Sequence, residues 1–127
     1  VLILIVDDEP LIRDALARII DVMGHRSCWA DNGHGALRLL RDEQPALMIL
    51  DMLLPGLDGW GVLRQKTMDP AIRHIPVILL SALTTEAIHV QSRAIDEALA
   101  GALLILGKPI EIGVLKRAIE SLASPEI

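Results

Sequence analysis

Five side chains in this 127-residue sequence stand where an apolar run gives way to polar chain. Asp7 and Asp8 follow Leu2–Val6, Asp51 follows Leu47-Met48-Ile49-Leu50, Ser81 follows residues 76–80, and Lys108 follows residues 102–106 and a glycine. Short apolar runs bounded by turn-formers read as buried strands. A polar residue closing such a run sits at the lip of a sheet, and in open α/β sheets ligands bind along that carboxyl edge. Three carboxylates gathered there repel one another: at ~4 Å and an effective dielectric of about 20, each pair costs on the order of 4 kcal/mol. Lys108 offsets part of that cost. A hard divalent cation with oxygen ligands would offset more, and Mg2+ takes one or two carboxylates together with waters and phosphate oxygens. A carboxylate nucleophile, a metal spanning the incoming oxygens, and a cation with a hydroxyl where charge accumulates together suit phosphoryl transfer. Asp51 is assigned as the reacting group.

Taken singly, each of these residues has a plainer role. An acidic pair before a helix serves as a solvated cap, a serine after a strand is a turn hydroxyl, and a lysine before a proline is an exposed lysine. Asp58 shapes its glycine-rich loop. The histidines at 25, 34, 74 and 89 show no paired ligand spacing. Cys28 reads as an inert buried thiol. The joint placement at four strand ends carries the functional reading.

The elements that must position these groups follow from the pattern. Strands are expected at Leu2–Val6, at Arg26–Ala30 (less apolar, hence an edge), and at residues 46–50, 76–80 and 102–106. Helices lie between them. Pro10 opens the first, with Leu11, Ile12, Ala15, Leu16, Ile19, Ile20 and Met23 at helical spacing and Gly24 as its stop. Asp31-Asn32-Gly33 turns the chain into a second helix that ends before Pro45. Trp60, Val62, Leu63 and Met68 mark a third, and Thr84 or Thr85 caps a long fourth. Ile112, Leu115, Ile119 and Leu122 mark the last. Alternating strands and helices imply an α/β fold, a doubly wound parallel sheet covered on both faces, with every strand's carboxyl end on one edge. Residues 1–123 form one domain, and 124–127 a tail or the start of a linker.

Composition narrows the function classes. The net charge of −5 disfavours nucleic-acid binding by this domain. One cysteine excludes an internal disulfide and a cysteine-based metal cluster. No apolar run approaches the ~18 residues of a membrane span, and the N-terminal run lacks the basic flank of a signal peptide, which points to a cytoplasmic protein. The chain begins on a strand and without Met, as an excerpt of a longer protein would. No glycine-rich phosphate loop follows any strand, which disfavours a nucleotide-binding enzyme.

With these residues in view, the chain resembles a bacterial response-regulator receiver domain over essentially its whole length. The resemblance rests on LILIVDDEP at 2–10, ALMILDMLLPGLDGWGVL at 46–63, IPVILLSAL at 75–83 and GKPI at 107–110. It implies a five-stranded flavodoxin-like sheet of order 2-1-3-4-5, an order illustrated for a member of this family. It also implies that Asp51 accepts a phosphoryl group from a histidine kinase or a histidine phosphotransfer protein. Asp8, Asp51 and the backbone carbonyl of Leu53 would then ligate Mg2+, with Asp7 holding metal-bound water. Ser81 would bond the phosphoryl oxygen, Lys108 would pair with it, and the Lys108–Pro109 bond would be cis. Such a domain phosphorylates and dephosphorylates itself and turns over no external metabolite. Aspartyl-phosphate phosphatases resemble this site too, but they carry a second Asp where Leu53 stands.

Two departures from the family fall together. Ile105 occupies the position of an aromatic residue that the family couples to the hydroxyl at Ser81, and Leu103-Leu104 replace an acidic pair. Ser81 to Gly101 is also about five residues longer than the resemblance leads one to expect. All of this lies on the face of the fourth helix, fifth strand and last helix. The alternative function is accordingly a receiver-like interaction module whose output is independent of phosphorylation, with that face binding a second copy or an attached output domain. The plainer account is that Leu103, Leu104 and Ile105 pack under the longer helix.

Overall fold

The computed structural model describes residues 1–82 and 103–123. Five strands, β1 (Leu2–Val6), β2 (Arg26–Ala30), β3 (Leu47–Asp51), β4 (Val77–Ser81) and β5 (Leu103–Gly107), form one parallel sheet of order β2-β1-β3-β4-β5. Helices α1 (Pro10–Val22), α2 (Gly33–Glu43) and α3 (Gly59–Thr67) and a C-terminal helix (Ile112–Ala123) complete the described elements. The expected α/β architecture and strand order are both present, with the less apolar β2 at an edge. The long helix expected from Thr84 or Thr85 and the tail at 124–127 lie outside the described residues.

Alternation along the strands divides the core in two. Leu4, Val6, Met48, Leu50, Val77 and Leu79 point to one face, where they pack with α2 and α3 residues such as Leu37, Leu40, Val62 and Leu63. Ile3, Ile5, Leu47, Ile49, Ile78 and Leu80 point to the other, against Leu16 and Ile20 of α1 and Leu115 and Ile119 of the C-terminal helix. All five residues of β3 and of β4 are buried, as central parallel strands covered on both sides must be. Leu103 and Ile105 of β5 pack partly against the first cluster, while Leu104 is 38% exposed. Cys28 is half-buried against the first cluster, and burial pushes its thiol up, toward the protonated form.

Helix ends follow local chemistry. Gly24, at φ +86, lies just past α1 and ends it in the left-handed conformation that glycine adopts without penalty. Asn32 caps α2, its side-chain oxygen accepting from the Gly35 N–H at 2.7 Å. The helix therefore begins at Gly33, which the sequence pattern placed in the turn. Asp58 caps α3 in the same way, through the Gly61 N–H at 2.8 Å, so its expected loop-shaping role is met. Gly59 sits hard against the backbone after β3: a Cβ there would lie 2.7 Å from Met52 Cα, and its N–H donates to the Met52 carbonyl at 2.9 Å. That contact folds the loop of residues 52–58 back over the end of β3.

Candidate functional site

Parallel strands with right-handed crossovers place their carboxyl ends on one edge, and the site is assembled there. The last residue of β3 is Asp51, 3% exposed. Its Oδ1 accepts from Lys108 Nζ at 2.9 Å and from the Leu53 N–H at 3.2 Å. Lys108 stands just past β5, and its backbone N–H donates to the Ser81 carbonyl at 2.9 Å, which locks the ends of β4 and β5 together. The Lys108–Pro109 peptide bond is cis, as expected.

Asp7 and Asp8 lie between β1 and α1. One carboxylate oxygen from each of Asp7, Asp8 and Asp51 lies within 4.8 Å of each of the others. Asp7 is 1% exposed, whereas Asp8 opens to solvent. Asp7 is held through three atoms. Its N–H donates to the Ala30 carbonyl at 3.1 Å, its carbonyl accepts from Arg13 Nη1 at 3.0 Å, and its Oδ1 accepts from the Glu9 N–H at 2.9 Å. Its Oδ2 is buried and has no hydrogen-bond partner among the described residues.

Burial is the main force raising the Asp7 pKa above the usual carboxylate value, with the Asp51 charge adding to it. The Glu9 N–H and Lys108 pull the other way without reversing the shift. The folded state therefore binds this proton more tightly than the unfolded chain. Asp7's contribution to stability is greatest below the ordinary pKa of 3.8 and is lost as pH rises through the raised folded value. In chelator at neutral pH, Asp7→Asn keeps the Glu9 contact, removes the ionised form and raises the thermal midpoint. Below pH 3.8 the advantage disappears. Thermal melts of both proteins across pH 3 to 8 check this (roughly the range over which a shifted carboxylate titrates), and equal midpoints throughout would contradict it.

Ser81, 1% exposed, closes β4. Its hydroxyl donates to Met52 Sδ at 3.2 Å. The pairing of Asp51 with Leu80 in the β3–β4 register brings the two following positions, 52 and 81, close together. Ala82, next along, is exposed. Leu53 is 68% exposed, and its N–H bonds the Asp51 carboxylate.

The structure thus joins Asp7, Asp8, Asp51 and Lys108 in one cluster and sets Ser81 and Leu53 on its borders. The sequence pattern did not single out Arg13 or Met52. Met52 carries a signal only through its place directly after Asp51, and Arg13 only through its position on the first turn of α1. All three clustered carboxylates are hard oxygen donors of the kind that Mg2+ takes, and the buried Asp7 Oδ2 is an acceptor in want of a donor or a cation. The residues present therefore fit a divalent cation.

The sequence profile of the response regulator receiver domain matches residues 3–120. Protein PilH of Pseudomonas aeruginosa is 33% identical over 119 residues, covering 94% of this chain and 94% of PilH. Sporulation initiation phosphotransferase F of Bacillus subtilis is 35% identical over 119 residues, covering 93% of this chain and 90% of that protein. The solved signal receiver domain of a signal transduction histidine kinase from Syntrophus aciditrophicus superposes with a TM-score of 0.84 at 34% identity, covering 96% of this chain and 89% of the other. Against several longer transcriptional regulators that it matches, the chain spans only about a third of their length.

Proposed function

Because this chain belongs to the response regulator receiver domain family, a family of two-component signalling domains rather than metabolic enzymes, we propose that Asp51 is its phosphoacceptor. The donor is a phosphohistidine on a histidine kinase or a histidine phosphotransfer protein. The observation that carries this assignment is the Asp51 carboxylate at the end of β3, held at 2.9 Å by Lys108 and flanked by two further acids.

In the proposed reaction an Asp51 carboxylate oxygen attacks phosphorus. The P–N bond of the phosphohistidine breaks, and the leaving imidazole keeps the electron pair and takes a proton. Lys108 holds the attacking carboxylate in place and lies close enough to meet the negative charge that arrives with the phosphoryl group. The Ser81 hydroxyl, bonded to Met52 Sδ before transfer, turns to a phosphoryl oxygen afterwards. Burial of Asp51 and Ser81 limits the water that could compete with the carboxylate.

Asp8, Asp51 and the Leu53 carbonyl would hold Mg2+ directly, and Asp7 would hold it through water. Bound there, that ion would supply charge neutralisation among the carboxylates and the incoming oxygens. Autophosphorylation from small donors and autodephosphorylation belong to the same proposal, as does a cytoplasmic location beside such a kinase. Among the described residues no helix is long and apolar enough to cross a membrane. Leu104, 38% exposed on β5, supports a contact with a second copy or an attached output domain.

The test uses phosphoramidate, a small donor with the same P–N bond. With Mg2+ present, intact mass should rise by about 80 Da, the mass of one phosphoryl group replacing a proton. Chelator and Asp51→Asn should each prevent the gain. An adduct that persists in Asp51→Asn would contradict the assignment, as would no adduct in the unaltered protein.

A further inference from the structure

Arg13 and Trp29 form a brace outside the acidic cluster. From the first turn of α1, Arg13 reaches back to donate to the Asp7 carbonyl at 3.0 Å. Its guanidinium lies over the Trp29 ring, 3.9 Å from the centroid. Trp29 stands on edge strand β2, next to Ala30, whose own carbonyl accepts the Asp7 N–H. The contacts therefore close a loop from β1 through α1 to β2 and back to β1.

The carbonyl that Arg13 grips belongs to the peptide joining Asp7 to Asp8. The carboxylates of Asp7 and Asp8 leave the chain on either side of that peptide, so its orientation sets where both point. A guanidinium suits this role because it is planar, always charged, donates in a fixed direction and stacks on an aromatic face while doing so. Trp29 is 56% exposed, a large ring to leave on the edge of a sheet. Holding Arg13 over its face gives that ring a use.

We propose that Arg13 is a positioning residue for divalent-cation binding, fixing the Asp7–Asp8 peptide, and that Trp29 is its brace. The proposal rests on the reading of Asp7 and Asp8 as metal-site residues. Partners that orient metal-holding groups from outside are worth 10–100-fold in affinity (about the range found on removing them). Arg13 acts on a backbone carbonyl and not on a ligand atom, which places the expected effect at the lower end.

The test is calorimetric titration of the folded protein with MgCl2 at fixed ionic strength. The variants are Arg13→Ala, Arg13→Lys, Trp29→Ala, Trp29→Phe and Asp8→Asn, each also melted in chelator. Arg13→Ala should weaken Mg2+ binding about tenfold and Trp29→Ala should weaken it less. Trp29→Phe, which keeps an aromatic face, should restore affinity close to that of the unaltered protein. Arg13→Lys, which keeps the charge but loses the planar fork, should fall between Arg13→Ala and the unaltered protein. If Arg13→Ala lowers the melting midpoint in chelator but binds Mg2+ like the unaltered protein, Arg13 is only a structural tie and the proposal is overturned. If Asp8→Asn binds as well as the unaltered protein, the metal-site reading itself fails. No binding by the unaltered protein would overturn both.

Discussion

Lys66→Met should make the protein more stable at neutral pH, although it removes a hydrogen bond. Lys66 lies on α3 with a relative exposure of 0%, and its Nζ donates to the Arg73 carbonyl at 3.0 Å. Burial alone pushes its pKa down from 10.5 to about 8. Between those values the unfolded chain holds a proton that the folded protein has released, so stability rises with pH from about 8 to 10.5. Below 8 the buried ammonium carries its full penalty, on the order of 3 kcal/mol by the usual 1.36 kcal/mol per pKa unit. Removing it forfeits the bond to the Arg73 carbonyl, worth about 2 kcal/mol because its donor is charged. The expected net gain is thus about 1 kcal/mol, or a few degrees in midpoint for a domain of this size. The variant should also lose the rise in stability above pH 8. Denaturant melts of both proteins from pH 7 to pH 10 (about the span of the shift) measure both effects. A destabilised Lys66→Met with an unchanged pH profile would contradict the account.

Lys108→Met should act in opposite directions on two observables. Its ammonium is the cation that the structure places on Asp51. Removing it takes the ammonium away from the arriving phosphoryl charge, and the loss of one preorganised donor of this kind costs about 10²–10³ in rate. Uptake from phosphoramidate should slow by that factor while Asp51 stays in place. Mg2+ binding should tighten instead, because Lys108 and a divalent cation compete for the same carboxylates. Single-turnover phosphorylation and Mg2+ titration of the same preparation separate the two. Transfer within a few-fold of the unaltered rate would contradict the role given to Lys108. So would weakened Mg2+ binding.

The parts legible in the sequence are those with local causes. Leu2–Val6, Leu47–Asp51 and Val77–Ser81 are each apolar throughout until a polar residue ends them, because strands covered on both faces leave no position for polar side chains. Those polar ends make up the candidate site, so one pattern yielded both the fold class and the candidates Asp7, Asp8, Asp51 and Ser81. The start of α2 was misplaced because Gly33 and Gly35 are poor helix formers, and only the Asn32 cap shows that the helix starts before them. β5 extends to Gly107, one residue beyond the apolar run, since backbone pairing with Ser81 needs no side chain.

Contacts between distant parts of the chain left no such mark. Lys66 sits on a helix like any surface lysine, and its burial follows from the return of residues 69–75 across it. The stacking of Arg13 on Trp29 joins residues from α1 and β2 that neither periodicity nor spacing relates. The Ser81–Met52 bond depends on strand register, which is set by the sheet as a whole.

The most direct measurement locates the phosphoryl group. After incubation with phosphoramidate and Mg2+, borohydride reduction converts an aspartyl phosphate to homoserine, and peptide mass mapping then reports which residue changed. Homoserine is expected at position 51 in the unaltered protein and at no other acid, Asp7 and Asp8 included. Modification at a different residue, or a phosphoryl group that resists borohydride, would contradict it.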